Sequence, residues 1–169
     1  EVMKKLAKDK MLRALSNVAY AKGAYEKEME QAALKKEAGE DFSDILTEIK
    51  SRFYEIIKGL NLDLSLEEEF RQIEADFKAH AGKEYAASRG EFLNGKVMAA
   101  YLGYEFIDSA TVIRFDKNGN FDADKTDKLL AKRLQKCERA VIPGFYGGME
   151  DGTVKTFSRG GSDVTGSLV

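Results

Sequence analysis

Apolar residues recur at steps of three and four through residues 41–60, DFSDILTEIKSRFYEIIKGL. The members of this repeat are Phe42, Ile45, Leu46, Ile49, Phe53, Ile56 and Ile57. Such spacing places side chains on one face of an α-helix, whereas a strand would need a step of two. The pattern therefore predicts an amphipathic helix that packs on a core and ends near Gly59.

The following segment, LSLEEEFRQIEADFKAHAG, has the same helical pattern and predicts a second amphipathic helix. Ser65 is predicted to cap the helix, and Glu68, three residues later, would complete a capping box. Gly82 follows the expected end of this helix. The charged faces of both helices are interpreted as solvated surface.

The pattern changes beyond Gly82. GEFLNGKVMAAYLGY predicts a more apolar helix that ends near Gly103, and EFIDSATVIRF supplies short runs suited to a sheet. Three further elements are predicted to follow: an Asn-Gly turn, a helix carrying three leucines, and a strand within RAVIPGFYG. Pro143 and Gly144 are expected to end that strand. Strand, helix and strand in this order indicate a parallel crossover of an α/β sheet. GTVKTF is then predicted to be a short strand that leads into a glycine-rich loop.

The composition narrows the class of protein. The 169 residues suffice for one domain with a substantial core. Lys and Arg number 27 against 29 Asp and Glu, so the net charge of -2 predicts neither a nucleic-acid partner nor an anionic membrane surface. Cys137 is the only cysteine, and no apolar stretch approaches the roughly 20 residues of a membrane span. These features predict a cytoplasmic protein.

The final stretch, KTFSRGGSDVTGSLV, sets Arg159 before two glycines. Its last residues predict the first turn of a helix with Ser162 or Asp163 as N-cap, and free N–H groups at such a terminus attract anions. An ordinary glycine-rich turn is the alternative. Because ligands of open α/β sheets sit beyond the carboxyl ends of strands, the loops PGFYGG and SRGGSD are predicted to share one pocket.

A third cluster is SRGEFLNG, residues 88–95, in which a helix is predicted to open with Arg89, Gly90 and Glu91. A carboxylate is favourable at a helix N-terminus by about 0.3–1 kcal/mol, so Glu91 on its own is interpreted as a capping residue before it is interpreted as a ligand-binding one.

Taken together, SRGEFLNG, VIPGFYG and TFSRGGSD resemble, in order and spacing, the motifs of the aspartate kinase family, and the wording is most similar to its lysine-sensitive clostridial-type branch. The resemblance covers roughly residues 41–169. It implies an α/β fold, a three-layer sandwich with a mostly parallel sheet of the amino-acid-kinase or carbamate-kinase-like type. The chain would be its N-terminal substrate lobe, with a helix-rich first half.

The reaction that this resemblance implies is the transfer of a phosphoryl group from ATP, with Mg²⁺, to the β-carboxylate of L-aspartate. The product, 4-phospho-L-aspartate, leads to lysine, diaminopimelate, threonine and methionine, and the family is allosteric. Other amino-acid kinases, acting on glutamate or acetylglutamate, are the nearest rivals. A non-catalytic binding module is the alternative of a different class.

The resemblance also implies roles for single residues. Glu91 is similar to the glutamate that pairs with the substrate ammonium, and Arg159 to the arginine that holds a substrate carboxylate. The remaining expected contributors are Ser162 and Asp163, which finish the aspartate pocket, Phe145, which lines it, Gly160 and Gly161, which admit the phosphoryl group, and Arg89 and Gly90 as support. The structural alternatives are that Phe145 is plain core and that Arg159 pairs with Asp163.

The chain departs from the family pattern at its beginning, which lacks the Lys-Phe-Gly-Gly loop. The expectation is that residues 1–169 form a partial amino-acid-kinase domain, the aspartate-binding lobe, with a strand and loop missing near residues 9–11. The ATP lobe and the regulatory ACT domains would be absent, so this fragment is expected to be inactive alone. A homo-oligomer is expected for the full-length parent.

Overall fold

The computed structural model describes residues 25–79 and 81–169. The predicted gap near residues 9–11 lies outside the described residues. The helices are α1 over residues 25–37, α2 Ser43–Gly59, α3 Glu67–Lys78, α4 Lys83–Leu102, α5 Ser109–Val112, α6 Ala123–Leu134 and α7 Gly161–Leu168. The strands are β1 Glu105–Phe106, β2 Ala140–Val141, β3 Tyr146–Gly148 and β4 Val154–Thr156. Among these helices, none has the length and apolar character that a membrane crossing needs.

The predicted helix-rich first half is confirmed. The apolar faces of α2 and α3 pack against α1 and α4 in one core, where Phe53 is 0% exposed and its ring centroid lies 4.7 Å from that of Tyr25. Phe70 of α3 meets Phe53 edge-on at 6.0 Å. Each fully buried side chain of this size contributes roughly 1.5–3 kcal/mol, so the repeat of apolar residues stabilises the bundle.

The predicted capping box of α3 is wrong. Leu66 is the N-cap residue, and it makes no capping side-chain bond. The Ser65 hydroxyl accepts only a long hydrogen bond, 3.4 Å, from the N–H of Glu67. Glu68 instead pairs with Arg71, one turn along the same helix, at 2.6 Å, and this ion pair keeps its carboxylate away from the cap.

Helix α4 begins earlier than predicted. It starts at Lys83, after the extended residue Gly82, and ends at Gly103, which has the left-handed conformation. The prediction that the helix opens at Arg89 is therefore wrong. The residues before it, KEYAAS, have adequate helix propensity and simply continue the same helix.

The second half contains the predicted parallel crossover. Strand β1 pairs with β2 in parallel, with Glu105 opposite Ala140 and Phe106 opposite Val141, and α5 and α6 lie between them in the chain. Residues 109–112, predicted as part of a strand, form α5 instead, because the Asp108 carboxylate caps it by accepting the N–H of Ala110. A second core, centred on Ile107, Val112, Ile113, Phe115 and Leu130, supports this half.

Strands β3 and β4 form a separate antiparallel hairpin in the register Tyr146–Thr156, Gly147–Lys155 and Gly148–Val154. The described residues thus contain two two-stranded sheets, one parallel and one antiparallel. A helix-rich α/β arrangement is confirmed, and the three-layer sandwich stays a prediction.

Candidate functional site

A cleft of about 370 Å³ lies between α4, the end of β2 and α7. Its wall comprises Glu91, Ala140, Ile142, Gly144, Ser162, Thr165, Gly166 and Val169. Residues from three distant parts of the chain therefore meet at one opening. Of the polar residues on this wall, Glu91 carries a carboxylate and Ser162 a hydroxyl, whereas the Thr165 hydroxyl donates to the Gly161 carbonyl at 2.8 Å.

Glu91 projects from the interior of α4. It lies more than two helical turns after Lys83, the first residue of the helix, and its Oε2 atom is buried. The interpretation of Glu91 as an N-terminal capping residue is therefore wrong, because the charge effect of a helix terminus fades within the first turn. A buried carboxylate on a cleft wall is suited to binding a cationic group.

The glycine-rich loop before α7 adopts a different cap from the predicted one. Gly160 is the N-cap, with φ of 60°, a left-handed conformation that glycine adopts without steric cost. Ser162 and Asp163 lie inside the first turn and are exposed, so the prediction of either as N-cap is wrong. Among the described residues, no side chain caps this terminus.

The two glycine-containing loops lie against each other. A Cβ atom at position 144 would lie 2.9 Å from the Cα of Ser162, and one at position 161 would lie 2.6 Å from the Cα of Phe145. The Phe145 carbonyl accepts the N–H of Phe157 at 2.9 Å, which ties the first loop to the end of β4. Only glycine allows backbones to approach this closely.

Phe145 occupies a left-handed conformation with φ of 60°, which is uncommon for a residue with a side chain. It is half-buried, and its ring lies edge-on to Tyr146 at 6.0 Å. Phe145 is not among the residues on the cleft wall, but its neighbour Gly144 is.

Arg159 is exposed and does not contribute to the cleft wall. Among the described residues it forms no ion pair, and in particular it does not pair with Asp163, the alternative that the sequence left open. The structure thus brings Glu91 and Ser162 together at one cleft and leaves Arg159 in the adjacent loop.

Arg89 and Gly90 face away from solvent. Arg89 is only 6% exposed. Its guanidinium lies 4.5 Å from the ring centre of Tyr85 and 4.6 Å from that of Phe92. Its Nε and Nη2 atoms donate to the Ser88 hydroxyl at 3.1 and 2.9 Å. Gly90 is buried where α4 packs against α1. A Cβ atom at position 90 would lie 3.3 Å from the backbone nitrogen of Glu26.

Two contributors were missed by the sequence analysis. Thr165 follows Ser162 by three residues on α7, a spacing that would have placed both on one helical face. Tyr146 is fully buried and donates its hydroxyl to Asp108 at 2.8 Å, a contact between distant residues that no local pattern reveals.

The surroundings of Tyr146 keep its hydroxyl protonated, so that it can donate a hydrogen bond. Burial raises the pKa of the Tyr146 hydroxyl well above its usual range, and the nearby Asp108 carboxylate raises it further. The hydroxyl consequently stays protonated at neutral pH and holds β3 against the start of α5.

Comparison with known proteins finds similar aspartate kinases. The chain is 38% identical over 88 residues to aspartokinase 3 of Bacillus subtilis (strain 168), covering 47% of this chain and 19% of that protein. The solved aspartate kinase of Clostridium acetobutylicum matches 85% of the chain at 43% identity, with a TM-score of 0.80. No protein-family model matches the chain.

Escherichia coli aspartokinase III, solved with lysine and aspartate, shares the fold at a TM-score of 0.67 and 23% identity over 85% of the chain. This chain covers 33% of the clostridial chain and 37% of the Escherichia coli chain, so it spans about a third of each solved relative and about a fifth of the curated one.

The fold and the matched segments of this chain are thus similar to those of solved aspartate kinases. The 43% identity to the clostridial enzyme agrees with the branch that the three motifs predicted.

Proposed function

We propose that this chain is the aspartate-binding part of an aspartate kinase, an enzyme that transfers the γ-phosphoryl group of ATP to the β-carboxylate of L-aspartate. The observation that carries this proposal is the 43% identity to a solved aspartate kinase over 85% of the chain. Because the chain covers 33% of that relative, the complete activity belongs to the protein that carries this segment.

The proposed phosphoryl transfer requires no general base from the protein. The β-carboxylate of aspartate, with a pKa near 4, is ionised at neutral pH and can attack phosphorus without a general base. Catalysis then depends on positioning the carboxylate in line and on neutralising charge on the transferred group. This requirement is consistent with a cleft wall that contains no histidine or cysteine.

The cleft supplies the positioning groups. In the proposal, Glu91 accepts hydrogen bonds from the substrate ammonium, and Ser162, which lines the same cleft, provides a second polar contact. Arg159 and Asp163 complete the pocket from the exposed loop, with Arg159 holding a substrate carboxylate through its planar guanidinium. This role requires the Arg159 side chain to fold toward the cleft when the ligand binds.

The loops contribute through their backbones. Gly160 and Gly161 leave room for close approach, and the N–H groups that begin α7 are available to an anionic oxygen. In the proposal, Phe145 packs against Gly161 and shapes the loop, and Arg89 and Gly90 anchor α4 to β3 and α1.

The support for a nucleotide and its metal comes from a relative, because the described residues offer no metal site of their own. A relative, Escherichia coli aspartokinase III, has been solved with aspartate and ADP. Among residues 25–79 and 81–169 there is no group of three or more His, Cys, Asp or Glu side chains able to hold a metal ion. Mg²⁺ would therefore arrive with ATP, and no step is assigned to metal ligands of this segment.

The finer features of the proposal follow the family. The parallel β1–β2 pair would belong to a larger, mostly parallel sheet of a three-layer sandwich, completed by the ATP lobe. We place the whole enzyme in the cytoplasm, as a homo-oligomer under allosteric control by an end product of the lysine pathway.

The proposal is tested by measuring aspartyl hydroxamate formed from ATP and L-aspartate by the protein that carries this chain. Glu91→Ala and Arg159→Ala should each lower kcat/KM for aspartate roughly 10- to 150-fold, because a hydrogen bond to a charged group contributes about 1.5–3 kcal/mol. L-Glutamate in place of L-aspartate should give little product.

Glu74→Ala and Arg71→Ala are the matched controls, because both remove exposed charges from α3. They should leave kcat/KM within about twofold, since exposed ion pairs contribute little. Activity retained in both Glu91→Ala and Arg159→Ala, with the fold intact by circular dichroism, would contradict the proposed site. No product from the unaltered protein would contradict the proposed activity.

A further inference from the structure

The side chain of Asn94 is a buried amide that forms no hydrogen bond with the described residues, 25–79 and 81–169. Asn94 is 6% exposed, and neither its Oδ1 nor its Nδ2 atom has a partner there. Its immediate neighbours, Leu93 and Gly95, are buried and apolar. Most buried side-chain polar atoms are hydrogen-bonded, so an amide that lacks partners at both ends points to a partner that is present only in another state.

The position of Asn94 relates this amide to the cleft. Asn94 follows Glu91 by three residues on α4, and residues at this spacing are neighbours on one helical face. At Gly95 the helix meets the loop that borders the cleft, because a Cβ there would lie 2.8 Å from Pro143 Cγ. Asn94 thus lies one turn behind Glu91, in the stretch of α4 that supports the cleft wall.

The donor and acceptor pattern of the amide selects a ligand class. An Asn side chain offers an acceptor oxygen and a donor NH₂ group a short distance apart. An α-amino acid carries the complementary pair on one carbon, an ammonium that donates and a carboxylate that accepts. A phosphate group would leave the amide oxygen unpaired, and an apolar ligand would leave both ends unpaired.

We propose that Asn94, together with Glu91, recognises the α-ammonium and α-carboxylate groups of an amino-acid ligand in the cleft. This inference rests on the proposed function, in which that ligand is L-aspartate. The Asn94 oxygen shares the ammonium with the Glu91 carboxylate, and its NH₂ group donates to the α-carboxylate. Asn94 is not on the open wall, so binding requires side chains at the wall to shift, a common change at binding sites.

The test uses Asn94→Leu in the protein that carries this chain, with Met98→Leu, one turn further along α4, as the matched control. Leucine has nearly the shape of asparagine and removes only the amide's polarity. Without ligand, the Asn94→Leu protein should be as stable as the unaltered protein or more stable, because an unpaired buried amide is lost. Its KM for L-aspartate should rise tenfold or more, with KM for ATP changed less than twofold.

Two aspartate analogues sharpen the outcome, with binding followed by the shift in unfolding temperature. Succinate lacks the ammonium, and 3-aminopropanoate lacks the α-carboxylate. The unaltered protein should prefer L-aspartate to both, and Asn94→Leu should lose most of the preference over 3-aminopropanoate. A purely structural amide would change stability and leave this preference as it was.

An unaltered KM for L-aspartate in Asn94→Leu overturns the inference. If that variant fails to fold, Asn94→Ser is judged by the same comparison. If the unaltered protein binds no L-aspartate, the proposed function fails, and a panel of other α-amino acids then decides the inference. A response to any of them that Asn94→Leu abolishes supports it, and an equal response, or none in the unaltered protein, overturns it.

Discussion

Phe145 and Gly161 hold each other in place at the meeting point of the two loops. A residue with a side chain in the left-handed conformation costs on the order of 1–3 kcal/mol, and such strain persists only where the surroundings enforce it. Here the hydrogen bond to Phe157 and the close contact with Gly161 enforce it. The strained turn presents Gly144 to Ser162 and so shapes the cleft.

Replacing Gly161 by alanine should disrupt this contact. The new Cβ would lie 2.6 Å from the Cα of Phe145, and a backbone atom has little freedom to retreat. We expect a loss of about 1–3 kcal/mol in the free energy of unfolding, measured by urea denaturation. Gly166→Ala on the same helix is the control, because a Cβ there meets nothing within 4 Å, and it should raise stability by about 0.5–1 kcal/mol. Equal effects of the two substitutions would contradict the packing argument.

The turn at residues 116–120 is an element whose stability depends on one carboxylate. Asp116 accepts the N–H groups of Asn118 and Asn120, each at 2.8 Å, and the turn sets Phe115 opposite Phe121. The backbone hydrogen bond from Asn120 is the main cause that lowers the pKa of Asp116 below its usual range. The hydrogen bonds favour the ionised form, so protonation weakens the turn.

The sign of the pH dependence follows from this lowered pKa. The contribution of Asp116 is fully present above the pKa of an unfolded aspartate, about 3.9, and is lost as the pH falls through the lower folded pKa. Urea denaturation at pH 7 and at pH 3 should therefore show a smaller loss of stability in Asp116→Asn than in the unaltered protein. Asp127→Asn, which removes an exposed carboxylate from α6, controls for the loss of one charge. An identical pH dependence in Asp116→Asn and the unaltered protein would refute the argument.

At the scale of the whole molecule, the part of the chain that the structure describes contains two hydrophobic cores joined along α4. The first core packs the helices α1 to α4, and the second packs the strands with α5 and α6. On the joining face, Arg89 of α4 lies 5.6 Å from the ring centre of Tyr146 of β3, and the Glu84 carboxylate accepts from Lys155 of β4 at 3.0 Å. The cleft lies at the same junction, so its geometry depends on how the two cores are joined.

Tyr146→Phe tests this junction. It removes the hydroxyl that donates to Asp108 from a fully buried ring and leaves the ring's packing in place. We expect a loss of about 1.5–3 kcal/mol in the free energy of unfolding, because the lost bond is to a charged group, and faster amide hydrogen exchange in β3 and α5. Tyr101→Phe is the control, since the half-buried Tyr101 hydroxyl makes no hydrogen bond with the described residues. If both variants unfold alike, Tyr146 does not secure the junction.

The local patterns of the sequence accounted for much of the fold. The apolar repeat of α2, the helix with its leucines that became α6, and the parallel pairing around it were all predictable. The three motifs also predicted the similarity to aspartate kinases that the comparisons found. The cap of α3, the start of α4 and the helix at residues 109–112 were predicted wrongly, because alternative caps and helix starts differ by only about 1 kcal/mol and tertiary contacts select among them.

Residue order alone therefore predicted most of the helices, the parallel crossover and the similarity to aspartate kinases, since spacing within one segment governs which face of that segment is apolar. The presence of Glu91 and Ser162 in one cleft, the strained turn at Phe145 and the buried amide of Asn94 came from packing. Those features join residues that are far apart in the chain or that depend on several neighbours at once, and such contacts arise only when whole elements settle against one another.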